Sequence, residues 1–424
     1  MAAQSRCSQS EVKVFQHPGS VPKKTQQTTM PSAKVLSAAM ALSAARLVAG
    51  ASTCTKDIEI TEPTPSIDCD IVDADVTVDS EVAGALAIEG PKQIKGNLII
   101  SNATKLLSIS SSSINSVGGR LELSDLELLN SVSFTALESL NELTMRKLNL
   151  LPKVTFGSEG VTEASVVTIT DTFINDLSGL KLTTVETLQI DNNRKLIKFD
   201  SDLENITDTL SIGINGAGMS ISMSKLEGAG EVQLQSVKAF NVPNLEKAGS
   251  LKFDKCNEME SFSAPNLTDI KNSISFIDNK KLSNITFPKL TKIGGDLTIR
   301  KNPKLTELEA FPEVESVFGG IDLGGDFEKV ELPKLNDVSG SVNVSSTTDI
   351  KDFCGFFDDA KDDGSIRGEE KCTSNNKEAN EGGAEGGENA DGSSGDNAED
   401  AAGIISVNSA LLGLAAIAGL AQLL

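Results

Sequence analysis

Imidazole, indole and phenol are almost missing from this chain. None of its 424 residues is Trp or Tyr, and its single His is His17. His17 falls in an N-terminal stretch that reads as a leader, so the mature chain is expected to hold no imidazole. That excludes Ser-His-Asp and Cys-His catalysis and every His-containing metal site. It also removes the best ring platforms for stacking on sugars or bases. The 16 Phe that remain fall mostly at repeat positions and read as core. Basic charge is short as well: 38 Lys and Arg face 60 Asp and Glu, a net of −22. A phosphate backbone would be repelled, so nucleic acid is not an expected partner. Three Gly pairs, 118–119, 294–295 and 319–320, are not phosphate loops, because no Lys-Ser/Thr follows them. They precede apolar pairs, where tight corners are needed. No cofactor is expected.

What is present is a repeat. The motif Leu-x-Ile, or an apolar equivalent, recurs twelve times about every 22 residues. It runs Leu98/Ile100, Leu121/Leu123, Leu143/Met145, Val167/Ile169, Leu188/Ile190 and Leu210/Ile212. It continues as Val232/Leu234, Leu251/Phe253, Ile274/Phe276, Leu297/Ile299, Ile321/Leu323 and Val342/Val344. A period this short is one coil of a solenoid, not a duplicated domain. Each coil contributes a strand with inward side chains at period two, and stacked coils share one core. The predicted fold is mainly β, a right-handed β-solenoid of leucine-rich-repeat-like kind with about twelve coils over residues 76–350. Twelve strands at roughly 4.8 Å spacing make a rod on the order of 55 Å long.

Five residues after the strand start, Asn recurs at Asn193, Asn215, Asn279 and Asn302, and Cys256 takes the same slot. A stacked Asn amide can bond turns above and below it, so these five residues are expected to form a structural ladder. Ala103, Leu126, Leu148 and Val237 fill the slot elsewhere, so the ladder is partial. Cys256 is read as a buried thiol, since no His exists to activate it. A second motif, Pro243-Asn-Leu245, Pro265-Asn-Leu267, Pro288-Lys-Leu290 and Pro333-Lys-Leu335, precedes the next strand. Pro breaks helices, so long convex helices are disfavoured, and Pro is expected to begin a short extended segment. Asp171, Asp191, Asp278 and Asp326 are the remaining catalytic candidates. They belong to different coils, whereas a glycoside hydrolase needs two carboxylates facing across a cleft.

The two ends carry targeting signals. Met30 to Lys34 precede an apolar run and Ala49-Gly50-Ala51, which reads as a signal peptide over 30–51 within a leader of 1–51. At the other end, small residues, a spacer and an apolar tail over 401–424 read as a glycosylphosphatidylinositol (GPI) attachment signal, with Asn397, Asp400 and Ser394 as candidate sites. Residues 373–400, with eight Asp/Glu against one Lys, read as an acidic stalk. Cys54 and Cys69 bracket the entry to the solenoid, and Cys354 and Cys372 its exit. Two close pairs at the ends look like disulfide-closed caps over 52–75 and 351–372. A zinc site from the same thiols lacks C-x₂-C spacing. Sequons at Asn102, Asn205, Asn266, Asn284 and Asn343 are N-glycosylation candidates in a secreted chain.

Taken together, the L-x-I-x-x-N-x-x-L repeats, the P-[KN]-L steps, the paired cysteines, the stalk and the tail resemble a known family. They are similar to the fungal GPI-anchored cell-wall organisation proteins of the extracellular-mutant and sporulation-specific type. The ectodomain of that family resembles the receptor L-domain. The resemblance spans about residues 52–424 and implies a non-enzymatic role in wall integrity and morphogenesis, at the plasma membrane and in the wall. It implies no catalytic or ligand residues. The acidic Glu/Gly stalk departs from the Ser-rich, mannosylated stalk usual there. The expected partners are wall polysaccharide or wall proteins, and the membrane through the GPI lipid. A wall-polymer-processing enzyme on a β-helix, and an adhesin or sensor ectodomain, are the alternatives from other classes.

Overall fold

The computed structural model describes residues 51–381. The expected leader and signal peptide up to residue 50, most of the expected stalk and the whole expected GPI signal, with the candidate sites Ser394, Asn397 and Asp400, lie outside the described residues.

Among these residues, strands stack into a β-solenoid in which every ladder is parallel. All twelve apolar pairs fall in one register: Leu98 pairs with Leu121, Leu121 with Leu143, and so on to Ile321 with Val342. The cause is the two-residue period of a strand. Leu and Ile of each pair point into the stack, and the residue between them points out. Ile60, Leu98, Ile100, Leu297 and Ile299 are among more than 90 apolar residues of one continuous core. Fully burying a side chain of this size stabilises by roughly 1.5–3 kcal/mol. Six Phe stack within that core from Phe240 to Phe311, with neighbouring ring centroids 4.6–6.4 Å apart.

The stack begins earlier than residue 76. Ile58–Ile60 pairs with Val76–Val78, which pairs with Leu98–Ser101, giving about thirteen turns. The segment expected to be a separate N-terminal cap is therefore itself coiled, with Cys54 and Cys69 joined by a disulfide inside it. At the other end the helix Lys351–Asp362 closes the core with Phe357 and Ala360. The Cys354–Cys372 disulfide fixes it to the strand Glu370–Thr373, which pairs with Val342–Ser346. The ordered chain also runs past 372 into the expected stalk. Asn376 donates to Ser345 Oγ at 2.8 Å and Ala379 is buried.

Each coil leaves the broad sheet through one repeated corner. Residues Asn102, Asp125, Lys147, Asp171, Asn192, Ile214, Ser236, Lys255, Asp278 and Lys301 all have φ between 49° and 58°. Each stands one place before the slot residue, so the left-handed corner recurs in ten successive coils. Asn and Asp tolerate this conformation well; Ile214, β-branched, is the outlier. Past the corner the chain runs through short strands of narrower sheets, such as Ser131–Phe134 and Lys198–Asp200. The Pro motif lies beyond these strands and differs from the expectation of an extended start. Pro243 and Pro265 sit at the second position of β-turns, closed by Leu245 N–H to Val242 O at 3.2 Å and Leu267 N–H to Ala264 O at 3.3 Å. The fixed φ of proline suits that turn position. Close stacking explains the glycines at the return corner. A Cβ on Gly294 would lie 1.9 Å from the Lys271 carbonyl oxygen of the coil before.

The slot amides hold the corners together. Asn193 accepts from the N–H of Thr172 at 3.1 Å and donates to Ile169 O at 2.9 Å. Asn215 accepts from Asn193 N–H at 2.9 Å and donates to Ile190 O at 2.7 Å. Asn279 accepts from Cys256 N–H at 2.8 Å and donates to Phe253 O at 3.1 Å. Asn302 accepts from Asn279 N–H at 3.0 Å and donates to Phe276 O at 2.9 Å. The ladder is thus directional. Each side chain satisfies backbone groups of the preceding coil only, and the following coil is reached only amide to amide, as from Asn279 Nδ2 to Asn302 Oδ1 at 3.1 Å. Thr172, whose hydroxyl bonds Asn193 Oδ1 at 2.5 Å, begins the first run of the ladder.

Candidate functional site

The outward residue between each apolar pair builds a column across the broad sheet. From the third repeat strand it reads Thr144, Thr168, Gln189, Ser211, Gln233, Lys252, Ser275 and Thr298, in register coil by coil. All but Lys252 are half-buried by their neighbours, so the column is a packed polar surface rather than a fringe of free side chains. Its two glutamines donate to carboxylates two places away on their own strands: Gln189 to Asp191 at 2.8 Å, and Gln233 to Glu231 at 3.1 Å. Beside this column the register slips between Leu140 and Glu142, Val185 and Thr187, and Ile206 and Thr209. Such bulges bend a sheet. Two shallow hollows lie along that line, about 450 Å³ by Ser116, Ser139 and Thr162, and about 580 Å³ by Asn205, Asp208 and Lys247.

The four carboxylates weighed as catalysts stand at strand exits and corners, one to a coil. Asp171 is a left-handed corner residue that accepts from the Asn192 amide. Asp191 follows at the strand exit of the next coil, where burial pushes its carboxyl up and the Gln189 amide partly offsets that. Asp278 is another corner residue, and Asp326 accepts from the Thr347 hydroxyl at 2.6 Å and the Asn380 amide at 2.9 Å. None of the four lines either hollow. Cys256 lies fully buried in its slot, its Sγ 3.6 Å from Leu234 O, and burial pushes the thiol up to about 11. A group so protonated is neither a nucleophile nor a ligand at neutral pH. Among the described residues no three His, Cys, Asp or Glu side chains gather as a metal site, and no helix is long and apolar enough to cross a membrane.

The sequons are scattered around the coil. Asn102 is an exposed corner residue, Asn205 and Asn284 are exposed first residues of strands, and Asn343 is exposed on the broad face near its C-terminal end. Asn266 is half-buried in a Pro turn, its amide donating to Pro243 O at 2.9 Å and accepting from Lys289 at 2.7 Å. The column from Thr144 to Thr298 carries none.

Relatives of known surface location share this architecture's sequence. The chain is 31% identical to Protein ecm33 of Aspergillus fumigatus over 339 residues, 78% of this chain and 84% of that one. The chain belongs to the fungal Ecm33 family. A cell surface GPI-anchored protein of Arthroderma benhamiae is 30% identical over 72% of this chain and 78% of its own. Sporulation-specific protein 2 of Saccharomyces cerevisiae is 28% identical over 73% of this chain and 62% of its own. No family profile and no solved structure matches the chain. Family members are proteins of the cell surface and cell wall, and that is where this chain belongs.

The apolar pairs and the ladder were both visible as sequence periods, whereas the outward column between the pairs was not read from them. The left-handed corner was missed, although Asn or Asp at five of its ten positions was a usable signal. The bulge line left no local mark.

Proposed function

We infer that this Ecm33-family chain organises the fungal wall without catalysis, by holding an extended wall polymer against its broad face. The observation that carries this is the in-register polar column from Thr144 to Thr298, free of sequons and free of a cleft. Each coil advances roughly 4.8 Å, so donors and acceptors repeat along the axis at a near-constant step. A polymer with a regular hydroxyl repeat is the ligand such a surface suits. N-glycans at the exposed Asn102 and Asn284 would keep the corner and the narrow-sheet side hydrated, and one at Asn205 would stand at the start of a broad-sheet strand, beside the column rather than on it. A GPI lipid at Ser394, Asn397 or Asp400 would hold the face off the membrane. The dispersal of Asp171, Asp191, Asp278 and Asp326 among strand exits and corners of different coils supports the non-enzymatic part.

The test is co-sedimentation of the purified glycoprotein with insoluble wall glucan, chitin and mannoprotein fractions, with product analysis alongside. Retention on one polymer should fall at least fivefold in a Thr168→Glu, Gln189→Glu, Ser211→Glu triple variant. Retention unchanged by those three charges, or release of soluble sugars by the parent, would overturn the proposal.

A further inference from the structure

We propose that a second surface, at the C-terminal end of the narrow sheets, takes an extended basic peptide from a partner protein. The strand Lys329–Val330 pairs with Glu307–Leu308 on one side and has no strand on the other. The next coil places the helix Lys351–Asp362 where another narrow strand would follow. Lys329 and Glu331 turn their N–H groups back, to Thr306 O at 3.2 Å and Leu308 O at 2.9 Å. Alternation along a parallel strand therefore leaves the N–H and C=O of Val330 facing the open side. Between this edge and the helix lies a groove of about 850 Å³.

The groove's lining states the chemistry of its occupant. Its apolar lining is Val330, Leu332 and Ile350, with Phe353 and Phe356 of the helix half-buried along it. Its rim carries Glu328, Glu331, Asp349 and Asp352 against Lys329 and Lys351. Both lysines are engaged, Lys329 with Glu309 and Glu331, and Lys351 with Asp349 at 3.7 Å. Glu328 and Asp352 have no ion-pair partner among the described residues. An apolar floor under a free strand edge with two unmatched carboxylates fits an extended segment alternating apolar and basic side chains. Backbone bonds to the edge would supply register, and alternate pockets the selectivity. The edge is short, so the two Phe rings must carry much of the contact. A neutral polysaccharide has no cation for Glu328 and Asp352. The chain's own residues 382–400 hold six carboxylates and no basic residue, so they carry the wrong sign. This proposal does not rest on the broad-face reading, since the two surfaces share no residue.

The experiment uses the full glycoprotein purified from a fungal host and a fluorescein-labelled octapeptide alternating Lys and Val. Its counterparts are a Glu-Val peptide, a Lys-Val peptide N-methylated at alternate backbone positions, and a soluble neutral glucan. Anisotropy should show binding of the Lys-Val peptide, at least tenfold weaker for both peptide counterparts. Hydrogen exchange should slow at residues 329–332 on binding. Glu328→Gln with Asp352→Asn, two exposed changes that spare the core, should weaken binding threefold or more. No binding, equal binding of the N-methylated peptide, protection elsewhere in the chain, or the same protection by glucan would each overturn the proposal.

Discussion

Replacing Asn279 with Ala tests whether the amide column holds the solenoid's corners. The substitution removes an acceptor for Cys256 N–H, a donor to Phe253 O and the side-chain bond to Asn302. The first two belong to backbone in a fully buried site. A buried polar group left unpaired costs roughly 1–3 kcal/mol, so two cost about 2–6 kcal/mol. Water entering the space of the lost amide recovers part of this, and about 2–4 kcal/mol is expected. Global melting is a blunt readout for a stack whose coils contact only their neighbours. Amide exchange at Cys256 reads the corner itself and should accelerate roughly 30- to 700-fold. Asn244→Ala is the matched control. It removes an exposed amide that donates to Ser224 O at 2.8 Å, and should cost under about 1 kcal/mol. Wall association should survive both changes. If Asn279→Ala stays within about 0.5 kcal/mol of the parent and Cys256 exchange is unchanged, the ladder reasoning is wrong.

Four further outcomes are expected. The Cys256 thiol, raised from 9.0 to about 11 by burial, stays protonated in the fold while the unfolded chain ionises first. Its contribution is complete below about pH 9 and fades toward pH 11, so the stability gap between parent and Cys256→Ala should narrow by about 2–3 kcal/mol over that range in urea titrations. Asp191 is also raised by burial, so its contribution is lost as pH rises through its folded value; Asp191→Asn should be neutral or stabilising at pH 7, by thermal melting, and leave wall integrity normal. Breaking Cys354–Cys372 by double Ala substitution should cost about 2–5 kcal/mol, felt as protease cleavage within 351–373 while the central coils stay protected. Ile299→Asp should prevent accumulation at the surface, because an unpaired charge would enter a fully buried site.

The repeat strands were legible because a period of two within a period of about 22 is a pattern that only stacking satisfies. Asn193, Asn215, Asn279 and Asn302 were legible for the same reason. Ile58 escaped because its step to Val76 is 18 residues, shorter than the steps of the repeat. The left-handed corner escaped because Lys147, Ser236, Lys255 and Lys301 do not announce that conformation, and Ile214 argues against it. The motif Pro-[Asn/Lys]-Leu gave the location of a chain reversal but not its geometry, since proline serves an extended start and a β-turn equally. The groove beside Val330 was beyond local pattern altogether. It exists because a helix takes the place of one strand, and its walls come from residues about 20 positions apart.

A ladder whose side chains satisfy only the preceding coil gives the molecule an arrow of assembly. A finished coil presents N–H and C=O groups that its successor's slot residue completes, whereas no coil waits on its successor for its own amide to find backbone partners. A chain delivered amino end first can therefore lay down coils in the order it emerges, each new one templated on the last. Tolerance to truncation should be lopsided as a result. Losing coils from the carboxyl end leaves a shorter but properly founded stack, while losing them from the amino end removes the foundation on which the slot amides of Asn193 and Asn215 are seated.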